Sequence, residues 1–278
     1  VRCNKPAKAG DAIREIGEDV RAGDVVFKSG EVINAAGIGV LAGINARKVM
    51  SYPKLRVAML STGDELIAPG LPCADDQIPS SNGIMLAAML RGLPVDITEF
   101  SAVPDDLAVL TRHFAELAGH DIIVTTGGAS VGDYDLIVPA LKAAGGNIDF
   151  WKIAMRPGKP VIAGRLSDAI MLGLPGNPVS SFVTAFLFAL PLVRKALGDP
   201  APLPQAVTMT AGEDLPAIGP RREFLRAAAD GDAVHLAGSQ DSSALSALAE
   251  ADCLIDRPAH AAALAAGEQV RVFKLQNG

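Results

Sequence analysis

The sequence has few residues of several types that would indicate a particular class of protein. It contains three cysteines in 278 residues (Cys3, Cys73 and Cys253), and their spacing fits neither a disulfide framework nor a zinc motif. Acidic residues outnumber basic ones by 31 to 25, which disfavours a nucleic-acid groove and a polybasic membrane surface. We therefore expect a cytoplasmic protein that binds neither nucleic acid nor membrane.

Long hydrophobic runs and clustered histidines are also missing. The longest apolar run, Phe182 to Val193, is interrupted by Thr184 and Pro191, so it predicts a buried helix rather than a membrane span. The four histidines are scattered without metal-ligand spacing. Hydrophobic residues make up 49% of the chain, enough for a sizeable core. Because the chain begins at valine in the middle of a pattern, we expect it to be a piece of a longer protein.

The texture of the sequence predicts three regions. Residues 1–53 have short apolar runs between turns, such as Val25–Phe27, and predict small antiparallel strands followed by a helix over Ala35–Ala42. Residues 54–200 alternate strands with helices and predict a mostly parallel sheet in a three-layer α/β/α domain. Residues 201–278 return to short strands and predict a small β-barrel. The fold class is α/β, with a central domain flanked by small β modules.

Helix and strand ends in the central region predict where polar side chains lie. The predicted caps and elements are Ser81 or Asn82 before a helix to about Gly92, Asp105 before a helix over Asp106–Leu117, Asp135 before a helix over Leu136–Ala144, a strand over Ile148–Ala154, and Asn177 before a long helix over Pro178–Leu197. In such sheets, ligands bind beyond the carboxyl ends of the strands.

A glycine-rich loop, Thr125 to Asp135, follows one predicted strand. Adjacent glycines allow backbone N–H groups to approach a ligand closely, and the next helix begins nearby, so the loop predicts a phosphate site. A plain turn capped by Asp135 is the alternative. Asp64 and Glu65 follow another strand. These two carboxylates can hold Mg²⁺ between themselves and a phosphate. The alternative is that they only cap the following turn and place negative charge at its start.

Two further segments are candidates for the same site. Lys152, Arg156 and Lys159 place three cations within eight residues of an acidic protein, which indicates an oxyanion pocket, with a solvated hairpin as the alternative. Residues 175–181 read Pro-Gly-Asn-Pro-Val-Ser-Ser. Asn177 followed by Pro178 is ordinary helix-start chemistry, and the paired prolines also predict a rigid binding loop.

The ordered motifs carry a family resemblance over nearly the whole chain. They are Gly-Glu-Asp-Val-Arg-Ala-Gly-Asp at 17–24, Ser-Thr-Gly-Asp-Glu-Leu at 61–66, Gly-Gly-Ala-Ser-Val-Gly-Asp-Tyr-Asp at 127–135, Arg-Pro-Gly-Lys-Pro at 156–160, Leu-Pro-Gly-Asn-Pro at 174–178, Arg-Glu-Phe-Leu-Arg at 222–226 and Gly-Ser-Gln at 238–240. Together they resemble the molybdopterin molybdenumtransferase family, the MoeA-like proteins related to the C-terminal part of gephyrin.

The resemblance implies an enzyme that converts adenylylated molybdopterin and molybdate into molybdenum cofactor and AMP with the help of Mg²⁺. It implies that Glu65, Asp105 and Asp135 are the catalytic and metal-binding acids. The substrate-binding residues that follow from the motifs and from the resemblance are Thr62, Gly63, Asp64, Asn82, Gly127, Gly128, Ser130, Lys152, Arg156, Lys159, Pro175, Gly176, Asn177, Pro178 and Ser180. It also implies a homodimer for the full-length protein.

The sequence departs from the family pattern in three places. Residues 79–82 read Pro-Ser-Ser-Asn where the family usually has an aspartate before the Ser/Thr-Asn pair, and Arg156 stands where lysine is common. The Asp-Gly-Tyr-Ala signature of the family's N-terminal region does not occur in this sequence. The alternatives are a molybdopterin adenylyltransferase, which would use ATP instead of molybdate, and a non-catalytic scaffold of the same family.

Overall fold

The computed structural model describes Pro6 and residues 8–128 and 136–275. The chain divides into two compact units, one of Val1–Tyr52 with Gly198–Pro200 and one of Pro53–Leu197 with Ala201–Gly278. In the first unit, helix α1 (Ala35–Gly43) forms where the sequence predicts it, and the Asn34 side chain caps it by accepting from the Gly37 N–H at 2.9 Å.

The small strands predicted in the first unit are not formed. Residues 25–28, including the predicted strand over Val25–Phe27, have no regular secondary structure, and no strand occurs in the described part of this unit. A strand needs a neighbour to accept and donate its backbone hydrogen bonds. Turns with glycine at positive φ, at Gly17, Gly23 and Gly30, punctuate the segment instead.

The second unit contains two six-stranded sheets, a two-stranded sheet of its second and third strands, and the other helices. Its strands are β1 (Leu55–Thr62), β2 (Leu66–Ile67), β3 (Ile78–Pro79), β4 (Val95–Val103), β5 (Ile122–Thr126), β6 (Asn147–Trp151), β7 (Met155–Arg156), β8 (Ile162–Leu166), β9 (Ala169–Leu174), β10 (Ala206–Ala211), β11 (Arg222–Asp230), β12 (Ala233–Leu236), β13 (Cys253–Arg257) and β14 (Gln269–Lys274). Its helices are α2 (Asn82–Leu90), α3 (Leu107–Leu117), α4 (Ile137–Ala143), α5 (Pro178–Thr184), α6 (Leu190–Ala196) and α7 (Leu245–Glu250), with a π-helical turn (Ala185–Ala189) joining α5 to α6.

The first sheet has the strand order β4-β1-β5-β9-β8-β6. Strands β4, β1, β5 and β9 run parallel to one another. Strand β8 pairs antiparallel with β9, and β6 pairs antiparallel with β8. Strand β1 is buried on both faces: Val57 and Met59 pack in one core, and Ala58 and Leu60 pack in the other. The predicted three-layer α/β domain with a mostly parallel sheet is confirmed.

Helices cover both faces of this sheet. Helices α2 and α5 pack in the first core with Val57 and Met59, whereas α3 and α4 contribute Phe114 and Leu141 to the second. The segment Pro178–Ala196 is long and apolar enough to cross a membrane, but 61% of its most apolar window is buried in the unit. It therefore packs as a core helix, as the sequence predicts.

The predicted strand over Ile148–Ala154 is wrong at its second half. Strand β6 ends at Trp151 because Lys152 has a φ of +80°, which lies outside the extended region. The chain then forms β7, whose Met155 and Arg156 pair with Arg222 and Glu223 of β11. Lys152 and Ala154, which alternation predicts on one face of the strand, therefore lie beyond its end.

The second sheet closes on itself. Strands β12, β10, β14, β13 and β11 pair in that order, and β11 also pairs with β12. These five strands form a closed barrel, so the small β-barrel predicted after residue 200 is confirmed. Its core is continuous with the helical layer, since Phe273 lies 6.5 Å from Phe186 and 6.3 Å from Phe224 between ring centroids. The domain boundaries at 53 and 200 stay a prediction.

Candidate functional site

A cleft of about 450 Å³ lies at the carboxyl ends of β1, β5 and β9. Loops from distant parts of the sequence meet there because parallel strands end at the same edge of a sheet. The predicted residues that line the cleft are Thr62, Gly63, Glu65, Asn82, Asp105, Gly127, Gly128, Pro175, Gly176, Asn177, Pro178 and Ser180. The described part of the glycine loop and the proline loop therefore converge on one site.

One side of the cleft, which we call the acidic wall, consists of residues 62–65 and Asp105. The Gly63 N–H donates to the Val103 carbonyl at 3.2 Å and ties the end of β1 to the end of β4. The Asp105 N–H donates to Asp64 Oδ1 at 3.0 Å. Asp64 itself does not line the cleft. Its side chain instead holds the backbone that carries Asp105.

Asp105 is not the helix cap that the sequence predicts. The cap of α3 is Asp106, whose Oδ1 accepts from the Val109 N–H at 2.8 Å, and the helix begins at Leu107. The extended backbone of Asp106 (φ −119°, ψ 128°) is the usual cap conformation. The Asp105 side chain is thereby left to line the cleft.

Burial raises the pKa of the Asp105 carboxyl, and the charges of Asp64 and Glu65 raise it further. The Thr62 hydroxyl lies close enough to oppose this rise in pKa in part, without reaching hydrogen-bond geometry. The carboxylates of Asp64, Glu65 and Asp105 lie close enough to interact, so this wall has a negative potential. A cation bound at such a site would be stabilised by electrostatic attraction.

The donor set fits Mg²⁺ bound together with a phosphate. Glu65 and Asp105 supply two carboxylates to the cleft, and Mg²⁺ usually takes one or two carboxylates, several waters and phosphate oxygens. The described residues contain no group of three or more histidine, cysteine, aspartate or glutamate side chains that could hold a metal by themselves. Asp135, the third predicted acid, and Ser130 lie outside the described residues.

The glycine loop begins at Gly127 and Gly128, directly after β5. Their φ angles are +93° and +58°. A Cβ on Gly127 would collide with the Thr62 carbonyl, and one on Gly128 would lie 2.6 Å from Ile137 Cγ1. Only glycine therefore lets β5 turn this closely past the acidic wall.

The opposite side of the cleft, the amide wall, consists of Asn82, Gly176 and Asn177. Asn82 Nδ2 donates to the Gly176 carbonyl at 2.7 Å and so ties α2 to the proline loop. A Cβ on Gly176 would lie 3.3 Å from Gly127 Cα, so the proline loop packs against the glycine loop. Asn82 Oδ1 and Asn177 Oδ1 are buried and have no hydrogen-bond partner among the described residues.

The predicted cap positions on this wall are confirmed at Ser81 and Asn177, but neither side chain makes a capping hydrogen bond. Asn177 is at the cap position with Pro178 as the first helical residue, but its side chain makes no capping hydrogen bond. Ser81 precedes α2 without a side-chain bond, and Asn82 is already helical. The amides at the two helix starts are therefore not used to satisfy helix N–H groups.

The predicted cations lie elsewhere on the surface. Lys152, Arg156 and Lys159 are exposed and do not line the cleft. Lys152 Nζ lies 4.3 Å from the Trp151 ring centroid, and Arg156 pairs with Glu223 at 3.6 Å. Their role in substrate binding stays a prediction.

Some residues of the cleft were not among the predicted site residues. They are Leu66, Ile78, Pro79, Ser80, Ser81 and Pro160. Thr126, which also lines the cleft, belongs to the predicted glycine-rich loop. Ser80 is only 3% exposed. The signal in the sequence is Pro79-Ser80-Ser81-Asn82, a polar run directly before a helix, of which the predicted binding residues include only Asn82.

Three family models cover most of the chain in order. Residues 1–44 match the MoeA N-terminal region (domain I and II), residues 58–195 match a probable molybdopterin binding domain, and residues 208–275 match the MoeA C-terminal region (domain IV).

Curated relatives and a solved structure agree with these models. Molybdopterin molybdenumtransferase 2 of Mycobacterium tuberculosis is 35% identical over 99% of this chain and 70% of its own length. The enzyme of Haemophilus influenzae is 34% identical over 95% of this chain and 67% of its own. The crystal structure of the molybdopterin biosynthesis MoeA protein from Pyrococcus horikosii has a TM-score of 0.83 at 27% identity, over 94% of this chain and 65% of that one.

The chain thus spans about two thirds of the length of these relatives. The order of the matched regions, the identity over nearly the whole chain and the shared fold lead to one conclusion: the chain belongs to the molybdopterin molybdenumtransferase (MoeA) family of transferases, which takes part in molybdenum cofactor biosynthesis.

Proposed function

We propose that the protein inserts molybdate into adenylylated molybdopterin and releases molybdenum cofactor and AMP. The observation that carries the proposal is the meeting of two carboxylates, Glu65 and Asp105, with the glycine loop in one cleft. Phosphate chemistry needs an anion cradle and a means of neutralising charge. The backbone at Gly127 and Gly128 can supply the cradle, and the acidic wall can hold a cation.

The acidic wall would hold Mg²⁺ through Glu65 and Asp105. The bound ion would neutralise charge on the phosphate that leaves with AMP. Asp64 contributes by fixing the Asp105 backbone through its 3.0 Å hydrogen bond. The raised pKa of Asp105 supports this role, because a cation would offset the cost of burying the ionised carboxylate and the repulsion from Asp64 and Glu65.

The amide wall and the proline loop would position the organic part of the substrate. Pro175 and Pro178 restrict the backbone on both sides of Gly176 and Asn177. The Asn82 hydrogen bond to Gly176 fixes the loop from the opposite side. Such preorganised loops hold a reacting bond in place without losing conformational entropy during the reaction.

The test supplies adenylylated molybdopterin and Mg²⁺ to the purified protein, adds molybdate, and measures AMP by chromatography. We expect AMP to appear in proportion to the molybdenum cofactor formed, and none without molybdate. Formation of an AMP adduct from molybdopterin and ATP, without molybdate, would favour an adenylyltransferase. Absence of both reactions would favour a scaffold.

Three further properties are part of the proposal. The use of Mg²⁺ and a homodimer of the full-length protein rest on the family resemblance, and a cytoplasmic location rests on the cysteine content and the charge. Light scattering coupled to size exclusion tests the dimer. Titration of the AMP-release rate with Mg²⁺, against Ca²⁺ as a control, tests the metal.

A further inference from the structure

Asn82 has a hydrogen-bonding arrangement that the acidic wall and the phosphate cradle do not use. It is the first residue of α2, only 9% exposed, and it lines the cleft. Because it does not cap the helix, its amide is free to act across the cleft wall. Buried amides normally use both their donor and their acceptor groups.

The orientation of the Asn82 amide is fixed by its partner. The Gly176 carbonyl can only accept, so the Asn82 group 2.7 Å from it must be the NH₂. Oδ1 is therefore the polar atom of the amide that this hydrogen bond does not use. It is buried and has no hydrogen-bond partner among the described residues. A buried acceptor without a donor destabilises the protein, so the site favours a ligand that supplies one.

Asn177 places a second acceptor on the same wall. Its Oδ1 is also buried without a partner among the described residues, and Asn177 directly follows the glycine that Asn82 holds. Two acceptors on one wall do not suit a phosphate or molybdate oxygen, since those oxygens are acceptors themselves. They suit a planar group that presents adjacent N–H donors.

We propose that the amide wall recognises the 2-amino and N3–H edge of the pterin ring, and that Asn82 Oδ1 is the acceptor that sets specificity for this edge. The inference rests on the proposed function for the choice of substrate. It assigns the ends of that substrate to opposite walls: the phosphate to the acidic wall and glycine loop, and the pyrimidinone edge to Asn82 and Asn177.

The test compares two phosphate-free fluorescent probes, 6-hydroxymethylpterin and 6-hydroxymethyllumazine. They differ at C2, where the pterin has an amino donor and the lumazine has a carbonyl acceptor. We expect the protein to bind the pterin about tenfold more tightly, since the lumazine carbonyl would face Oδ1 and leave it unpaired. Equal affinities would overturn the proposal.

Two variants isolate the acceptor. Asn82→Leu and Asn82→Asp both lose the NH₂ that donates to Gly176, but only Asn82→Asp keeps an acceptor oxygen. We expect the ratio of the pterin and lumazine affinities to fall to about one in Asn82→Leu and to stay near ten in Asn82→Asp. Asn147→Leu, on an exposed strand outside the cleft, should keep the preference of the unaltered protein.

The other possible roles of Asn82 give different results, and each contradicts the proposal. If the hydrogen bond to Gly176 alone matters, both variants lose the preference equally. If Oδ1 binds Mg²⁺, Asn82→Leu weakens the binding of AMP with Mg²⁺ and leaves the pterin preference unchanged. If a residue of 129–135 pairs with Oδ1, Asn82→Leu loses thermal stability and keeps the preference for pterin.

The assay of AMP release stays separate from these measurements. Failure to release AMP from adenylylated molybdopterin would contradict the proposed function, even with the probe preference intact. Loss of the preference with normal AMP release would contradict only the assignment of Asn82.

Discussion

The acidic wall and the amide wall of the cleft put their polar groups in opposite electrostatic situations. On the acidic wall, burial raises the pKa of Asp105, and the like charges of Asp64 and Glu65 raise it further. On the amide wall, Asn82 and Asn177 are neutral. What is unfavourable there is that each has a buried Oδ1 without a hydrogen-bond donor among the described residues.

This difference indicates a division of labour between the walls. A charged wall acts on a reacting phosphate through a cation, and its strength depends on pH and on salt. A neutral wall acts through hydrogen-bond geometry and is insensitive to both. Changes to the acidic wall should therefore affect the rate and its pH dependence, whereas changes to the amide wall should affect which molecule binds.

The largest effect is expected from Asp105→Asn. It removes one of the two cleft carboxylates and should lower the rate of AMP release by about 10²–10³-fold. The same change should leave the fold as stable as before or slightly more stable at neutral pH. An activity within about threefold of the unaltered protein would contradict the assigned role.

The expected gain in stability follows from the sign of the pKa shift. The pKa of Asp105 is raised in the folded state, so the folded protein binds this proton more tightly than the unfolded chain does. The ionised carboxylate therefore costs stability as the pH rises through its folded pKa, and the asparagine does not. Thermal unfolding of both proteins should agree at pH below about 4 and should favour Asp105→Asn at pH 7.

The second prediction tests the close contact between the glycine loop and the acidic wall. Gly127→Ala would force a Cβ against the Thr62 carbonyl at a positive φ, and we expect a loss of about 2–4 kcal/mol in stability with about a tenfold or greater loss of activity. Gly119→Ala is the control, because no atom lies within 4 Å of the added Cβ and its φ is not positive. Equal effects of the two changes in thermal melts would rule out the contact.

A smaller effect on rate, with a clear effect on pH dependence, is expected from Asp64→Asn. The asparagine keeps an oxygen that accepts from the Asp105 N–H, but it removes a charge that raises the pKa of Asp105. The pKa of Asp105 should therefore fall, and the acid limb of the pH–rate profile should move to lower pH. At pH 7 we expect the rate to stay within about threefold. A profile that does not move would show that Asp105 does not control the acid limb.

The strands and helices of the second unit could be predicted because their buried faces repeat with clear periods. The same patterns do not show where a side chain points at the end of an element. Lys152 was placed in a strand because alternation continues through it, yet its positive φ ends β6 at Trp151. Val25–Phe27 has the composition of a strand without a strand to pair with in the described part of its unit.

The site could be predicted to the extent that motifs follow strand ends, because topology then brings them together. Asn82 and the loop of Gly176 and Asn177 were predicted as binding residues, but the hydrogen bond between Asn82 and Gly176 depends on tertiary packing over 94 residues of sequence. The clearest wrong prediction concerns two adjacent acids, because the sequence predicts Asp105 as the cap of α3 and the structure has Asp106 there. Asp105 and Asp106 are chemically identical, and only the backbone conformation decides which one caps α3.

This last pair gives the smallest and most selective prediction. Asp106→Ala removes the acceptor that bonds the Val109 N–H at 2.8 Å, so it should lower the stability of the protein by about 1 kcal/mol. Since Asp106 does not line the cleft, AMP release should remain unchanged below the melting temperature. Thermal melts and rates measured on Asp105→Asn and Asp106→Ala together should show opposite patterns. If Asp106→Ala also lost activity, the cap would be needed to hold Asp105 in the acidic wall, and the two acids could not be separated into a structural and a functional residue.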